Sequence, residues 1–331
     1  MKNIYIAFLL FSSLVVSIPL YAMPFGESNI IVSGDNMLFE YSVEGQIVQQ
    51  IPTPPIPDFT QIRDLIVTAS GEVAIFNGTS DPELNLYNPQ TEEWRSFKFP
   101  GWSIVNNDSN GGIAAYGDGI YVTDMMADGN GIIRFGLDGT AQRVLEGKDY
   151  VDLTLGLDGK FYALKENTSF VDIIDPELMQ VIRTVQLEFA IDVRGIAVNS
   201  SGYIYTVSWN GEFAKYDSNG TQWISMPGAG SINLVDIDID AQGRIVFHDR
   251  NNILYLTNEL FVEQLISPQA INLPVVYSAS SFVAFSKNDA IVQTNPNVLV
   301  SSDNRMFEYT PAGQLINEIT IPSTDQVRDL I

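Results

Sequence analysis

The sequence has no cysteine and a single histidine, His248. Without thiols there are no disulfides, no thiolate nucleophile and no cysteine-ligated metal. Basic residues are scarce as well: 17 Lys and Arg stand against 40 Asp and Glu, a net charge of −23. Phosphate backbones and anionic lipids both demand basic surfaces, so nucleic acid and acidic membranes are excluded as partners. No helical period is sustained anywhere along the chain, which argues against βαβ folds. Beyond the first residues no segment is long and apolar enough to span a bilayer.

Those first residues read as an export signal. Lys2 is the only early charge, an apolar run extends from Ile4 to about Val16, and "PLYA" ends on a small residue at Ala22. Cleavage is expected before Met23, with residues 1–22 removed and the mature chain soluble, without membrane insertion. The expected location is secreted, periplasmic or at the cell surface.

What the chain does have is repetition. "DNMLFEYSVEGQIVQQI" begins at Asp35, and "DNRMFEYTPAGQLINEI" begins at Asp303, 268 residues later. Each is followed by a second echo, "QIRDLI" from Gln61 and "QVRDLI" from Gln326. Between them runs a looser rhythm of four short β-type runs per unit. In "IRDLIVTASGEVAIFNGTSDPELNLYNPQTEEWRSFKF" the runs are Leu65–Val67, Glu72–Phe76, Leu84–Tyr87 and Trp94–Phe99, separated by turn signals. Similar units start at Gly112, Val151, Arg194 and Val235.

Four-stranded antiparallel units at this spacing predict an all-β fold, a β-propeller. Five complete units run from about Gln61 to Leu265. The first echo has only three runs, and "SSFVAFSKND" from Ser280 fits the missing first strand. Three strands from the front and one from the back would then make a sixth blade. The alternative is a seven-bladed ring in which Val327–Ile331 completes the first echo's blade. On the six-bladed reading the propeller covers 23–289, and 290–331 is the start of a second, truncated propeller repeat.

The units share a pattern seen in "DLTLGLDGKFYA" and "DIDIDAQGRIVF". In this the chain resembles secreted bacterial six-bladed propellers of the NHL, gluconolactonase-like and virginiamycin B lyase-like group, over most of residues 29–285. The resemblance implies the fold far more than an activity, because the fold hosts enzymes and binders alike. Lyase-like relatives are expected to use histidine as acid or base, and lactonase-like ones a carboxylate/asparagine metal set. Neither set maps onto this chain residue by residue.

Aligning the units on Gly71, Gly119, Gly159, Gly202 and Gly243 gives a column seven residues earlier: Asp64, Gly112, Asp152, Gly195 and Asp236, with Phe282 in the closing strand. First strands line a propeller's channel, so Asp64, Asp152 and Asp236 are expected to converge near one mouth. Three carboxylates suit a hard cation such as Ca²⁺. The plainer reading is that each Asp bonds backbone amides where its strand begins. Arg63 and Arg194 precede the column in two blades and would either bind an anionic ligand or pair with neighbouring carboxylates. Trp209, in the turn-like "SWNG", is the exposed aromatic candidate for a ligand, whereas Trp94 and Trp223 fall in fourth-strand runs where packing is the natural role. A lone histidine near a strand end is ordinarily structural, and no catalytic residue is assigned.

The sequence therefore points to an exported, non-catalytic binding propeller, calcium-stabilised at its acidic mouth, with a protein, glycan or small ligand on one face. The alternative is a metal-dependent lactonase-like hydrolase or lyase using the three aspartates as ligands. A third reading, a cell-surface structural array, follows from the tandem echo.

Overall fold

The computed structural model describes residues 25, 29–33, 37–42, 44–54, 62–77, 82–100, 111–124, 131–165, 168–190, 192–227, 233–240, 242–249, 253–263, 269–272, 283–285, 298–302, 305–309 and 315–320. The chain opens with three strands, β1 (Ile30–Ser33), β2 (Met37–Tyr41) and β3 (Ile47–Pro52). Blade two follows as β4 (Ile62–Val67), β5 (Val73–Asn77), β6 (Glu83–Asn88) and β7 (Glu93–Phe97). Blade three is β8 (Ile113–Tyr116), β9 (Gly119–Asp124), β10 (Gly131–Gly136) and β11 (Ala141–Glu146). Blade four is β12 (Tyr150–Leu155), β13 (Phe161–Lys165), β14 (Phe170–Asp175) and β15 (Gln180–Gln186). Blade five is β16 (Val193–Val198), β17 (Ile204–Ser208), β18 (Glu212–Tyr216) and β19 (Gln222–Pro227). Blade six is β20 (Leu234–Ile239), β21 (Arg244–Asp249), β22 (Ile253–Asn258) and β23 (Gln269–Asn272), with a short helix, α1 (Glu259–Glu263), before its last strand.

Ring closure comes from far along the chain. Strand β24 (Val283–Phe285) pairs antiparallel with β1, matching Ile30 to Phe285 and Val32 to Val283, so blade one has the order β24-β1-β2-β3. First strands touch in the cyclic order β4, β8, β12, β16, β20, β24 and back to β4. The fold is a six-bladed β-propeller, and the seven-bladed alternative is excluded because β24 occupies the edge of β1. Residues 327–331, which that alternative needed, lie outside the described residues.

Burial follows radial position. Every residue of β4 and β9 is buried, since inner strands are covered on both faces by neighbouring blades. Outer strands such as β7 and β15 are mostly open to solvent. The apolar clusters lie between blades: Phe76, Leu84 and Leu86 of blade two join Ile120, Val122 and Ile133 of blade three, and the same cluster runs on through Leu164 and Val171 of blade four. A blade's face is thus completed only by its neighbour, as stacking of small twisted sheets requires.

Blade six departs from the expected pattern. On the sequence reading the fifth complete unit ends at about Leu265, yet the run after Asn258, "ELFVE", forms α1, and the fourth strand, β23, lies beyond that bound. The Glu259 N–H donates to the Gly243 carbonyl at 3.0 Å, and its carboxylate accepts from Asn199 Nδ2 and Tyr205 Oη of blade five. Val262 is fully buried. These tertiary contacts override the β-propensity of Phe and Val in so short a run.

A further sheet, β25 (Val298–Ser302), β26 (Arg305–Tyr309) and β27 (Leu315–Thr320), comes last.

Candidate functional site: the mouth of the first strands

Each first strand starts at the same end of the ring, and each second strand ends there. At this end four blades share a β-bulge, with the register shifting between Ile62 and Asp64, Tyr150 and Asp152, Val193 and Gly195, and Leu234 and Asp236. In a bulge two residues oppose one partner, which re-aims their side chains. Arg63, Val151, Arg194 and Val235 are the extra residues, so the two arginines alternate with two valines around the mouth.

The three aspartates stand one residue further in, and each is only 7% exposed. Asp64 Oδ1 accepts the N–H of Leu65 at 2.7 Å, and its Oδ2 accepts the N–H of Ile113, in the next blade, at 2.9 Å. Asp152 repeats this with Leu153 at 2.7 Å and with Ile196 of blade five at 2.8 Å. Asp236 Oδ1 accepts the N–H of Ile237 at 2.8 Å. The plainer expectation, backbone amide bonding, therefore describes Asp64 and Asp152 fully, and the amides belong to two blades at once.

Glycine in the alternate positions has a steric cause. A Cβ on Gly112 would lie 1.9 Å from the Leu153 backbone nitrogen, and one on Gly195 would lie 3.1 Å from the Asp236 Cα. From blade two to blade six the first strands are thus joined alternately by an aspartate bond and by a close glycine contact. Of the glycines used for the alignment, Gly71, Gly159, Gly202 and Gly243 all have positive φ, as their turns require. Gly119 is a strand residue instead, and the tighter turn of blade three uses Gly117.

Electrostatics at the mouth are strained by like charge. Burial, then the charges of Asp236 and Asp152, hold the Asp64 carboxyl well above the usual carboxylate range. Burial pushes Asp152 up to about 7, against the two backbone N–H bonds that lower it. Of the three, Asp64 is the one whose carboxyl is raised by the charges of the other two. Among the described residues, no three His, Asp or Glu side chains gather closely enough to hold one metal ion together.

Arg63 is 5% exposed, while Arg194 and Trp209 are half-buried. The Arg194 guanidinium lies over the Trp209 ring, 5.2 Å from its centroid. Two backbone bonds fix that tryptophan, its N–H to Asp192 O at 2.9 Å and its carbonyl to the N–H of Asn233 at 2.8 Å. Arg194 and Trp209 thus form one stacked cationic-aromatic unit at the mouth, a contact that their separation in the sequence did not show. The other tryptophans are mixed. Trp94 packs on Tyr87, with its Nε1 donating to Pro52 O at 3.0 Å. Trp223 is 55% exposed and covers buried Lys215, which also meets the Tyr203 ring at 4.4 Å. Trp102 lies outside the described residues.

His248 is fully buried on β21, opposite Asp236 in the register, and neither ring nitrogen has a hydrogen-bond partner. Desolvation lowers it to about 4.

No protein-family model and no curated protein sequence matches the chain. Solved structures do. A streptogramin B lyase is similar at 15% identity and a TM-score of 0.53, covering 85% of this chain and 95% of its own. Virginiamycin B lyase from Staphylococcus aureus is similar at 15% identity and a TM-score of 0.51, covering 87% of this chain and 92% of its own. A protein of unknown function from Bacteroides caccae is similar at 12% identity and a TM-score of 0.56, covering 78% and 98%. At these identities the likeness is one of fold, and the fold it gives this chain is the six-bladed propeller of the virginiamycin B lyase-like structures.

Proposed function

We propose that the chain is an exported, non-catalytic binding propeller that takes a ligand at the mouth of its first strands. The ligand is an anionic group on a protein, glycan or small molecule, held by Arg194 with Trp209 stacking beside it, while Arg63, only 5% exposed, adds positive charge from beneath the surface. The observation that carries the reading is the contrast between the mouth's groups. The stacked pair of Arg194 and Trp209 is partly open, whereas the only histidine is sealed and the aspartates already hold backbone amides. A His-to-Ala variant of the Staphylococcus aureus lyase is catalytically inactive; a fully buried histidine here speaks against the same use. Calcium enters the reading through the three buried carboxylates of the mouth: they do not gather closely enough to hold one ion together, so a cation near the axis would be met by carboxylates singly and by water, each carboxylate oxygen keeping a second lone pair.

Thermal unfolding with EDTA, Ca²⁺ and Mg²⁺, alongside turnover of a lactone panel, tests this. A cation bound only by the folded state stabilises by about 2.7 kcal/mol at a hundredfold excess over its dissociation constant. The expected result is a calcium-specific rise that Asp152→Asn abolishes, with no lactone turnover. Turnover that disappears with EDTA would replace the binding reading with a metal-dependent hydrolase. Superimposable melts would remove calcium and leave the arginine-tryptophan mouth alone.

A further inference from the structure

The chain carries one three-stranded sheet twice, and the ring has room for one copy. Strands β1 and β2 pair Ile30 with Tyr41 through to Ser33 with Leu38. Strands β25 and β26 pair Val298 with Tyr309 through to Ser301 with Met306, the same register throughout. The third strand agrees too. Glu40 opposes Gln49 and Glu308 opposes Asn317, and both sheets shift register at the next residue, between Glu40 and Tyr41 and between Glu308 and Tyr309.

Sequence at the demanding positions is also preserved. Ile30, Ile31, Val32 and Tyr41 are fully buried in blade one, and Val298, Leu299, Val300 and Tyr309 stand at those positions in the copy. Blade one has one deeply buried carboxylate in these strands, Glu40, which accepts from Asn29 Nδ2 and Gln49 Nε2, each at 2.6 Å. The copy has Glu308 at the position of Glu40, and Asn297 and Asn317 at the positions of its two amide donors. A buried carboxylate without such donors would be costly, so retaining the whole triad keeps the copy fit for the same buried place.

The seam that receives β1 is a single strand edge, where β24 matches Phe285 to Ile30 through to Val283 with Val32. Where blade six meets the face of blade one, Val246 and Leu254 pack on Ile30, Val32 and Tyr41, and the Tyr41 hydroxyl is buried there without a partner. His248, two residues from Val246 and opposite Leu254, shares that face by strand alternation and is likewise unpartnered. Finally, β25 follows β24 after only residues 286–297, so the two can meet through a loop, as first and second strands do in the other blades.

We propose that β24 accepts β25–β27 in place of β1–β3, so that two interchangeable segments of one chain compete to close one ring. The absence of cysteine makes the test clean. Ile31 opposes Ala284 in the register, and Leu299 holds the position of Ile31 in the copy. A full-length chain carrying Ile31→Cys, Leu299→Cys and Ala284→Cys is oxidised, and its disulfides are mapped by mass spectrometry. Both the 31–284 and the 299–284 bonds are expected within single molecules. Adding Glu40→Leu should lower the first and raise the second, and Glu308→Leu should do the reverse. Absence of the 299–284 bond in every background, or its formation only between molecules, overturns the proposal. Urea unfolding without cysteines gives a second reading. Glu40→Leu and Glu308→Leu should each cost little, and together far more than the two losses added. Strict additivity would mean that the segments act independently.

Discussion

Asp64 belongs to one blade and Ile113 to the next, and the carboxylate of the first accepts the backbone N–H of the second at 2.9 Å. Asp152 and Ile196 repeat the arrangement two blades on. These bonds cross the seams where blades meet around the axis, so the aspartates hold the ring's inner circumference as well as shaping its mouth.

Removing such a group leaves two amides stranded. Asp152→Ala should expose the Leu153 and Ile196 N–H groups to a buried site with no acceptor, each costing about 1–3 kcal/mol. Loss of a buried carboxylate offsets part of that. Asp152→Asn retains one acceptor oxygen and should recover part of the stability. Urea unfolding of the three proteins would place Asn between wild type and Ala; an Ala variant as stable as wild type would show that the inter-blade bond contributes nothing.

The glycines between the aspartates predict a graded series. On Gly112 a methyl meets the Leu153 nitrogen at 1.9 Å and the Asp152 carbonyl carbon at 2.5 Å, both backbone atoms that cannot swing away. Gly112→Ala must push blades three and four apart and should cost ~3 kcal/mol or more, at the upper end for overpacking. On Gly195 the nearest atoms stand at 3.0 and 3.1 Å, two of the three on the side chains of Val207 and Ile237. Gly195→Ala should cost about 1 kcal/mol. Thermal melts of the two variants check the order, and equal shifts would refute the close-contact account.

Much of this was legible in the sequence. The Asp and Gly column stood out because every blade must solve the same problem at the same place, and β24 was found because blade one's three strands demanded a fourth. The bulges were not legible. A bulge adds one residue without a fixed chemical signature, so Arg63 and Arg194 look like ordinary strand residues beside Val151 and Val235. Helix α1 was hidden for another reason. Its placement depends on Asn199 and Tyr205 of the neighbouring blade, which lie over fifty residues away. The stacking of Arg194 on Trp209 was hidden by the same distance effect, since a turn between two strands brings them together.

Acid and base should act on stability through two opposed kinds of group. Sealed in the ring, His248 titrates near 4, below its ordinary 6.5. Between those values the unfolded chain binds more protons, so His248 contributes stability that is present above about 6.5 and is lost as pH falls toward 4, with a slope of about 1.4 kcal/mol per pH unit at most. Asp152 runs the other way. Its carboxyl, raised from 3.8 to about 7 by burial, keeps its proton in the folded state, so its contribution is present below about 4 and is lost as pH rises through 7. Asp64, held high by burial and by its two acidic neighbours, adds to that second trend. Two carboxylates against one imidazole should make the wild-type protein lose stability overall from pH 4 to 7. Asp152→Asn should flatten this decline, and His248→Leu, which removes the opposing group, should steepen it. Chemical denaturation at half-unit pH intervals separates the two effects; unchanged slopes in both variants would mean that neither group is desolvated as the ring requires.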